Sequence, residues 1–146
     1  MTADRATPRV RISGLDKRPG SLIARLIRLL DAEGHADAEV IIAFVKEPEQ
    51  RRLNKRHRGI DETTDVLSFP LEPGSGSGEM YVDLDRARSQ AKEGGWALGM
   101  EVHRLCVHGA LHLCGYDHHS AKDAAKMRAA EIKYLGNAPP MSFHED

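Results

Sequence analysis

His108-Gly109-Ala110-Leu111-His112-Leu113-Cys114-Gly115-Tyr116-Asp117-His118 is the stretch on which the reading of this chain turns. Five of the eight histidines fall between His103 and His119, a density that packing alone does not require. A helix advances ~100° per residue, so His108 and His112 project from one face about one turn apart and can hold one metal ion between them. Gly115 lets the chain leave the helix through a left-handed residue, and His118 then swings back as a third ligand. Three neutral nitrogens leave the fourth position of a tetrahedral zinc open to water, whose pKa falls to about 7 on binding. The pattern predicts a metal site that supplies hydroxide near neutral pH.

The same ligand spacing, with glycine in the same place, occurs in metzincin proteases, which carry glutamate directly after the first histidine. Here that position is Gly109, so the general base of peptide hydrolysis is missing from its usual place. A lone histidine on an apolar helix is ordinarily a hydrogen-bonded core residue. The third histidine, in register with a glycine turn, is what separates this stretch from that reading. His103 lies five residues before His108 and faces elsewhere. His119 reads as a solvated neighbour or an outer donor, and Asp117 as a turn or outer-shell residue.

At 146 residues the chain is read as one domain, 1–146, long enough to bury a core without disulfides, with a frayed tail over 137–146. A net charge of −1 and a pI near 6.7 exclude a surface that blankets nucleic acid, so any such role needs a local patch. If Cys106 and Cys114 share a helix they lie ~12 Å apart along its axis, too far for a disulfide. Both are read as small apolar residues of a reduced, cytoplasmic protein. The charged N-terminus lacks the apolar run of a signal peptide. Val40 to Val45 is the longest strongly apolar run, far short of the ~20 residues that cross a bilayer, so no membrane partner is expected.

Outward from the histidines, a ligand helix is predicted over Leu98–Leu113. It is apolar nearly all round and therefore central, with Gly109 and Ala110 small enough for another element to approach closely. Strands are predicted at Pro8–Ser13, Glu39–Val45, Asp65–Leu71 and Glu79–Leu84, the second covered on both faces. Helices are predicted at Ser21–Glu33 with Ser21 as N-cap, at Glu47–Arg56, at Asp85–Lys92 with an aspartate cap, and at Ser120–Leu135. The last is expected to pack Ala124, Met127, Ala130, Ile132 and Leu135. Four short strands among several helices make an α+β domain, with a sheet of roughly four strands packed around the ligand helix. The strand order is not readable from the sequence.

Arg51-Arg52-Leu53-Asn54-Lys55-Arg56-His57-Arg58 holds five Lys/Arg in eight residues, an outlier in a chain of nearly balanced charge. Such a run is ordinarily a solvated helix face, yet guanidinium groups also grip phosphate in bidentate fashion. His108–His118 matches the H-G-x-L-H-L-x-G-Y-D-H signature of the YbeY family of bacterial rRNA-maturation endoribonucleases at every specified position. Leu53-Asn54, Arg58 and Thr64-Asp65-Val66-Leu67-Ser68-Phe69-Pro70 resemble that family's second motif. His57 stands where the family commonly has tyrosine, and Glu79 where aspartate is usual.

The resemblance extends in element order over about residues 8 to 135. It implies a zincin-like α+β fold, one zinc ion held by His108, His112 and His118, and Arg58 as the functional arginine. It also implies single-stranded RNA as substrate, maturation of the 16S rRNA 3′ end and ribosome quality control as the setting, and the small ribosomal subunit with its associated proteins as partner. Arg52 and Lys55 are read as steering the RNA backbone. Two rival readings stand beside this one: a metal-dependent peptide or amide hydrolase, and a non-catalytic ribosome-assembly factor whose zinc is structural. Cys114 or Asp117 would complete the metal shell in the last case.

Overall fold

The computed structural model describes residues 6–136, so the tail over 137–146 lies outside the described residues. In chain order the elements are β1 (Arg9–Ser13), α1 (Gly20–Ala32), β2 (Glu39–Val45), α2 (Glu47–Arg58), β3 (Val66–Pro70), β4 (Gly78–Asp83), α3 (Leu84–Gly94), α4 (Leu98–Leu113) and α5 (Ala121–Leu135). The fold is α+β. The strands form one sheet in the order β1-β2-β4-β3, with β1, β2 and β4 parallel and β3 antiparallel to β4.

Helix α4 is central, as its composition requires. Leu105, Cys106, Val107, Ala110, Leu111 and Leu113 are all buried, and the helix packs on β3 and β4 with α1, α3 and α5 around it. Gly109 is the point of closest approach. A Cβ built there would sit 2.4 Å from Met80 Cε, 2.9 Å from Ser68 Oγ and 3.2 Å from Val66 Cγ2. Ser68 Oγ donates to the Gly109 carbonyl at 3.1 Å, tying β3 to the histidine-bearing turn. Gly109→Ala is therefore expected to overpack the junction and destabilise the fold by about 1–3 kcal/mol, read from denaturant midpoints. An unchanged midpoint would show that Met80 yields freely.

Helix α1 places Leu22, Ile23, Leu26, Leu29 and Leu30 on its buried face, each contributing about 1.5–3 kcal/mol of transfer free energy. Its N-cap is Pro19 rather than Ser21, with no side-chain cap bond. Strand β2 is fully covered on one face and only partly on the other, where Ala43 and Val45 are half-buried. Val40, Ile42 and Phe44 are buried, whereas Ile41 is 49% exposed on the other side. The continuous apolar run concealed this, because an apolar residue on an open sheet face leaves the same trace as a buried one.

Helix α3 is capped by Asp83, which accepts from the Arg86 amide at 2.9 Å; Asp85, inside the first turn, instead accepts from the Glu47 amide at 3.0 Å. Helix α2 runs two residues beyond the predicted end and stops at Gly59, whose φ of +73° suits the left-handed cap. In α5, Ile132 is 45% exposed and Glu131 is buried in its stead.

The corner between α3 and α4 is pinned by charge. Glu101 is fully buried, pairs with Arg104, and accepts from Trp96 Nε1 at 2.8 Å and from Gln90 Nε2 at 2.6 Å. The Arg104 guanidinium also lies 4.8 Å over the Trp96 ring. Removing the carboxylate takes an acceptor from two half-buried donors and a counter-charge from the buried Arg104. Glu101→Ala is expected to cost about 3–5 kcal/mol of stability. A thermal-unfolding shift too small for that range would mean the corner relaxes around the loss.

Candidate metal centre and its cleft

His108 and His112 leave the last turns of α4 on one side, with their Nε2 atoms 3.2 Å apart. That separation is close to the edge of a tetrahedron with zinc–nitrogen bonds of 2.0–2.1 Å, about 3.3 Å. The chain then turns at Gly115, whose φ is +98°, while the Gly115 and Tyr116 amides donate to the carbonyls of His112 and Leu111 at 3.0 Å each. This turn returns His118 to the pair. One nitrogen from each of the three rings lies within 4.8 Å of the other two. Among the described residues, neither Cys114 nor Asp117 joins that cluster.

The hydrogen bonds around the rings set their lone pairs. His108 Nδ1 lies 2.8 Å from Glu131 Oε2, and a carboxylate accepts, so Nδ1 carries the proton and Nε2 is left bare. His112 has a backbone hydrogen bond at Tyr116 that favours its protonated ring, which makes the ring the donor there. Two acceptor nitrogens then face each other across 3.2 Å, an arrangement that a cation between them satisfies. His118 Nδ1 is buried with no hydrogen-bond partner. The donor set therefore fits a divalent ion that takes imidazole.

Burial, then the proximity of His108 and His118, holds the His112 pKa well below its usual value, at about 4. His112 is thus neutral and ready to ligate at pH 7. The sign of the linkage follows: an unfolded histidine titrates near 6.5, so between that value and about 4 the unfolded chain binds the extra proton. Metal-free protein should lose stability as the pH falls through this window, and metal should be released over the same range. The check is the melting midpoint of chelator-treated protein against pH, compared with His112→Asn, which should show a flatter profile. Identical profiles would remove His112 as the cause.

The loop that carries His118 is held from outside the motif. Tyr116 Oη donates to Glu33 Oε1 at 2.9 Å, and Tyr134 donates to the other oxygen of the same carboxylate. Asp117 Oδ1 accepts from the His119 amide at 3.2 Å, a turn contact, and His119 itself is exposed. Sequence reasoning missed Glu131, Glu33 and Tyr134. For Glu131 a signal was present, since it falls on the stripe of Met127, Ala130 and Tyr134 where an apolar residue would serve. Glu33 gave none, being an ordinary residue at a helix end until folding sets it beside Tyr116.

Beside the histidines opens a cleft of about 320 Å³ lined by Arg58, Val66, Ser68, Pro70, His108 and His112. Arg58, the last residue of α2, thus faces the histidine pair across this cleft. Its neighbours on α2 are engaged with carboxylates: Arg51 with Asp61 at 2.9 Å, Lys55 with Asp61 at 4.0 Å and Arg52 with Glu49 at 2.9 Å. Among the described residues no carboxylate pairs with Arg58. Lys55 lies one turn before Arg58 on the same side of the helix, whereas Arg52 projects from a different side. On the opposite face of β3, Phe69 meets the His57 ring at 4.9 Å between centroids.

The family model described as Endoribonuclease YbeY matches residues 13–138. The endoribonuclease YbeY of Anaeromyxobacter sp. (strain Fw109-5) is 43% identical over 132 residues, covering 85% of this chain and 69% of that protein. The endoribonuclease YbeY of Caldanaerobacter subterraneus subsp. tengcongensis is 37% identical over 150 residues, 90% of this chain and 92% of its own length. The solution structure of TM1509 from Thermotoga maritima superposes with a TM-score of 0.63 at 33% identity, covering 86% of each chain.

Proposed function

Because this chain belongs to the endoribonuclease YbeY family, we propose that it cleaves single-stranded RNA in rRNA maturation, using one zinc ion held by His108, His112 and His118. The observation that carries this reading is the placement of Arg58, uncompensated by any carboxylate among the described residues, across a cleft from two of the three clustered imidazoles. A bound zinc ion supplies an acidified water and polarises a phosphoryl oxygen.

The chain's own residues do the rest. The Arg58 guanidinium takes the non-bridging oxygens of the phosphodiester and offsets the charge that grows on them in the transition state. Glu131 holds the His108 ring in the tautomer that presents Nε2. Val66 and Pro70 wall the cleft and limit water around the reacting phosphate, while Ser68 is held by its bond to Gly109. Lys55, and Arg52 from further round α2, add positive charge along the path of the strand.

Two observations weigh against the rivals. The place of a protease glutamate is closed, because any side chain at Gly109 meets Met80 and Ser68. A structural zinc needs a fourth protein ligand, and the cluster among the described residues has three. The proposed setting is the cytoplasm, with the small ribosomal subunit and its associated proteins as partners. No helix among the described residues is long and apolar enough to cross a membrane.

The test is product chemistry on single-stranded and duplex RNA, with metal content measured on tag-free protein. Cleavage confined to single strands, lost on chelation and restored by zinc, is the expected result. Peptide hydrolysis without RNA cleavage would overturn the reading.

A further inference from the structure

Strand β1 closes one side of the sheet and leaves its outer edge free. The Arg9 amide donates to the Ala38 carbonyl at 2.9 Å, so Arg9, Arg11 and Ser13 turn their backbone groups toward β2. By alternation, the N–H and C=O of Val10 and Ile12 point outward, where no backbone partner meets them among the described residues. Beside this edge runs a groove of about 430 Å³, larger than the cleft at the histidines. It is floored by Val10, Ile12, Leu15, Pro19 and Ile23, and Lys17 and Arg18 stand on its rim.

We propose that the free edge of β1 and the groove beside it take an extended acidic segment of a partner protein as a fifth strand. The unpaired ladder groups at Val10 and Ile12 are what a peptide backbone satisfies and a nucleic acid does not. A strand added here turns alternate side chains inward over Leu15, Pro19 and Ile23, which calls for apolar residues. The intervening ones turn outward beside Arg11, and the strand as a whole lies against Lys17 and Arg18. None of these three cations has a carboxylate partner among the described residues, whereas Arg9 on the same strand is paired with Glu39 at 3.3 Å. Asp16 is the one acidic residue in the intervening loop. The ligand is therefore a segment in which apolar and acidic residues alternate.

The surface lies apart from the Arg58 cleft, sharing none of its lining residues, so the test is independent of RNA cleavage. A displayed library of short random peptides is selected against the full-length, zinc-loaded protein, and the enriched peptides are synthesised. Alternating apolar and acidic sequences are expected, and their binding should slow amide exchange at Val10 and Ile12. Combined Arg11→Glu and Lys17→Glu, both exposed positions, should weaken binding about tenfold or more while leaving RNA cleavage intact. Ile12→Pro, which removes an outward N–H without touching the β1–β2 ladder, should do the same. Enrichment of basic sequences, peptides that leave exchange at Val10 and Ile12 unchanged, or protection of those amides by an RNA oligonucleotide instead would each overturn the proposal.

Discussion

Replacing His112 by alanine should remove bound metal and RNA cleavage together. His112 supplies one of two nitrogens that face each other across 3.2 Å, and an ion held between them would have no substitute ligand in Cys114 or Asp117. Losing one of three imidazoles exposes a divalent ion to solvent and drops its affinity steeply. Loss of the Lewis acid and of its acidified water then lowers cleavage by about 10³-fold or more. Metal content measured on purified protein should fall from about one ion per chain to near zero, as expected for a site with a removed ligand. Because His112 is only part-buried, near the end of α4, its loss should not itself unfold the chain. A His112→Ala protein that keeps both its metal and its activity would end the assignment of this centre.

The second large effect falls on Arg58. Arg58→Ala should leave metal content unchanged and lower kcat/KM by about 10²–10³-fold, the range seen when one preorganised donor to a developing negative charge is removed. Arg58→Lys restores the charge but not the planar fork, so it should recover only part of the loss. The division between kcat and KM decides the role. A fall in kcat at constant KM places the guanidinium on the transition state, and a rise in KM alone reduces it to a binding residue. Since Arg58 is exposed at the last position of α2, ahead of the Gly59 cap, neither variant should shift the melting midpoint much. If Arg58→Ala cleaves as well as the parent, the cleft is not where the phosphate sits.

How much of this could be read from the chain varied with how local the cause was. Helix α4 was readable to its ends, because a long apolar helix closed by a glycine turn is specified by its own residues. The cap of α3 was misplaced from Asp83 to Asp85, since two aspartates two residues apart look alike until Glu47 comes to claim one of them. In α5, apolar periodicity favoured Ile132, while the fold buries Glu131 because His108 is there to receive it. The closeness of β3 to α4 was legible only in part: Gly109 announced that something approaches, and the register of Ser68 and Met80 says what.

The sequence by itself determined the helix that bears His108 and His112, the turn that brings back His118, the α+β class and the arginine worth watching. The helix and the turn rest on spacing along one element, where a few covalent steps fix direction; the class rests on the tally of elements, and Arg58 on the resemblance of its motif to a known family. Only the tertiary structure decided the strand order, the carboxylates that hold the rings and the loop, and the meeting of Arg58 with the histidine cleft. Those contacts join residues 23 to 101 positions apart, as between Glu131 and His108 or Tyr134 and Glu33. Nothing in a local pattern encodes such a meeting; it is selected when the whole core closes and each buried polar group must find its partner.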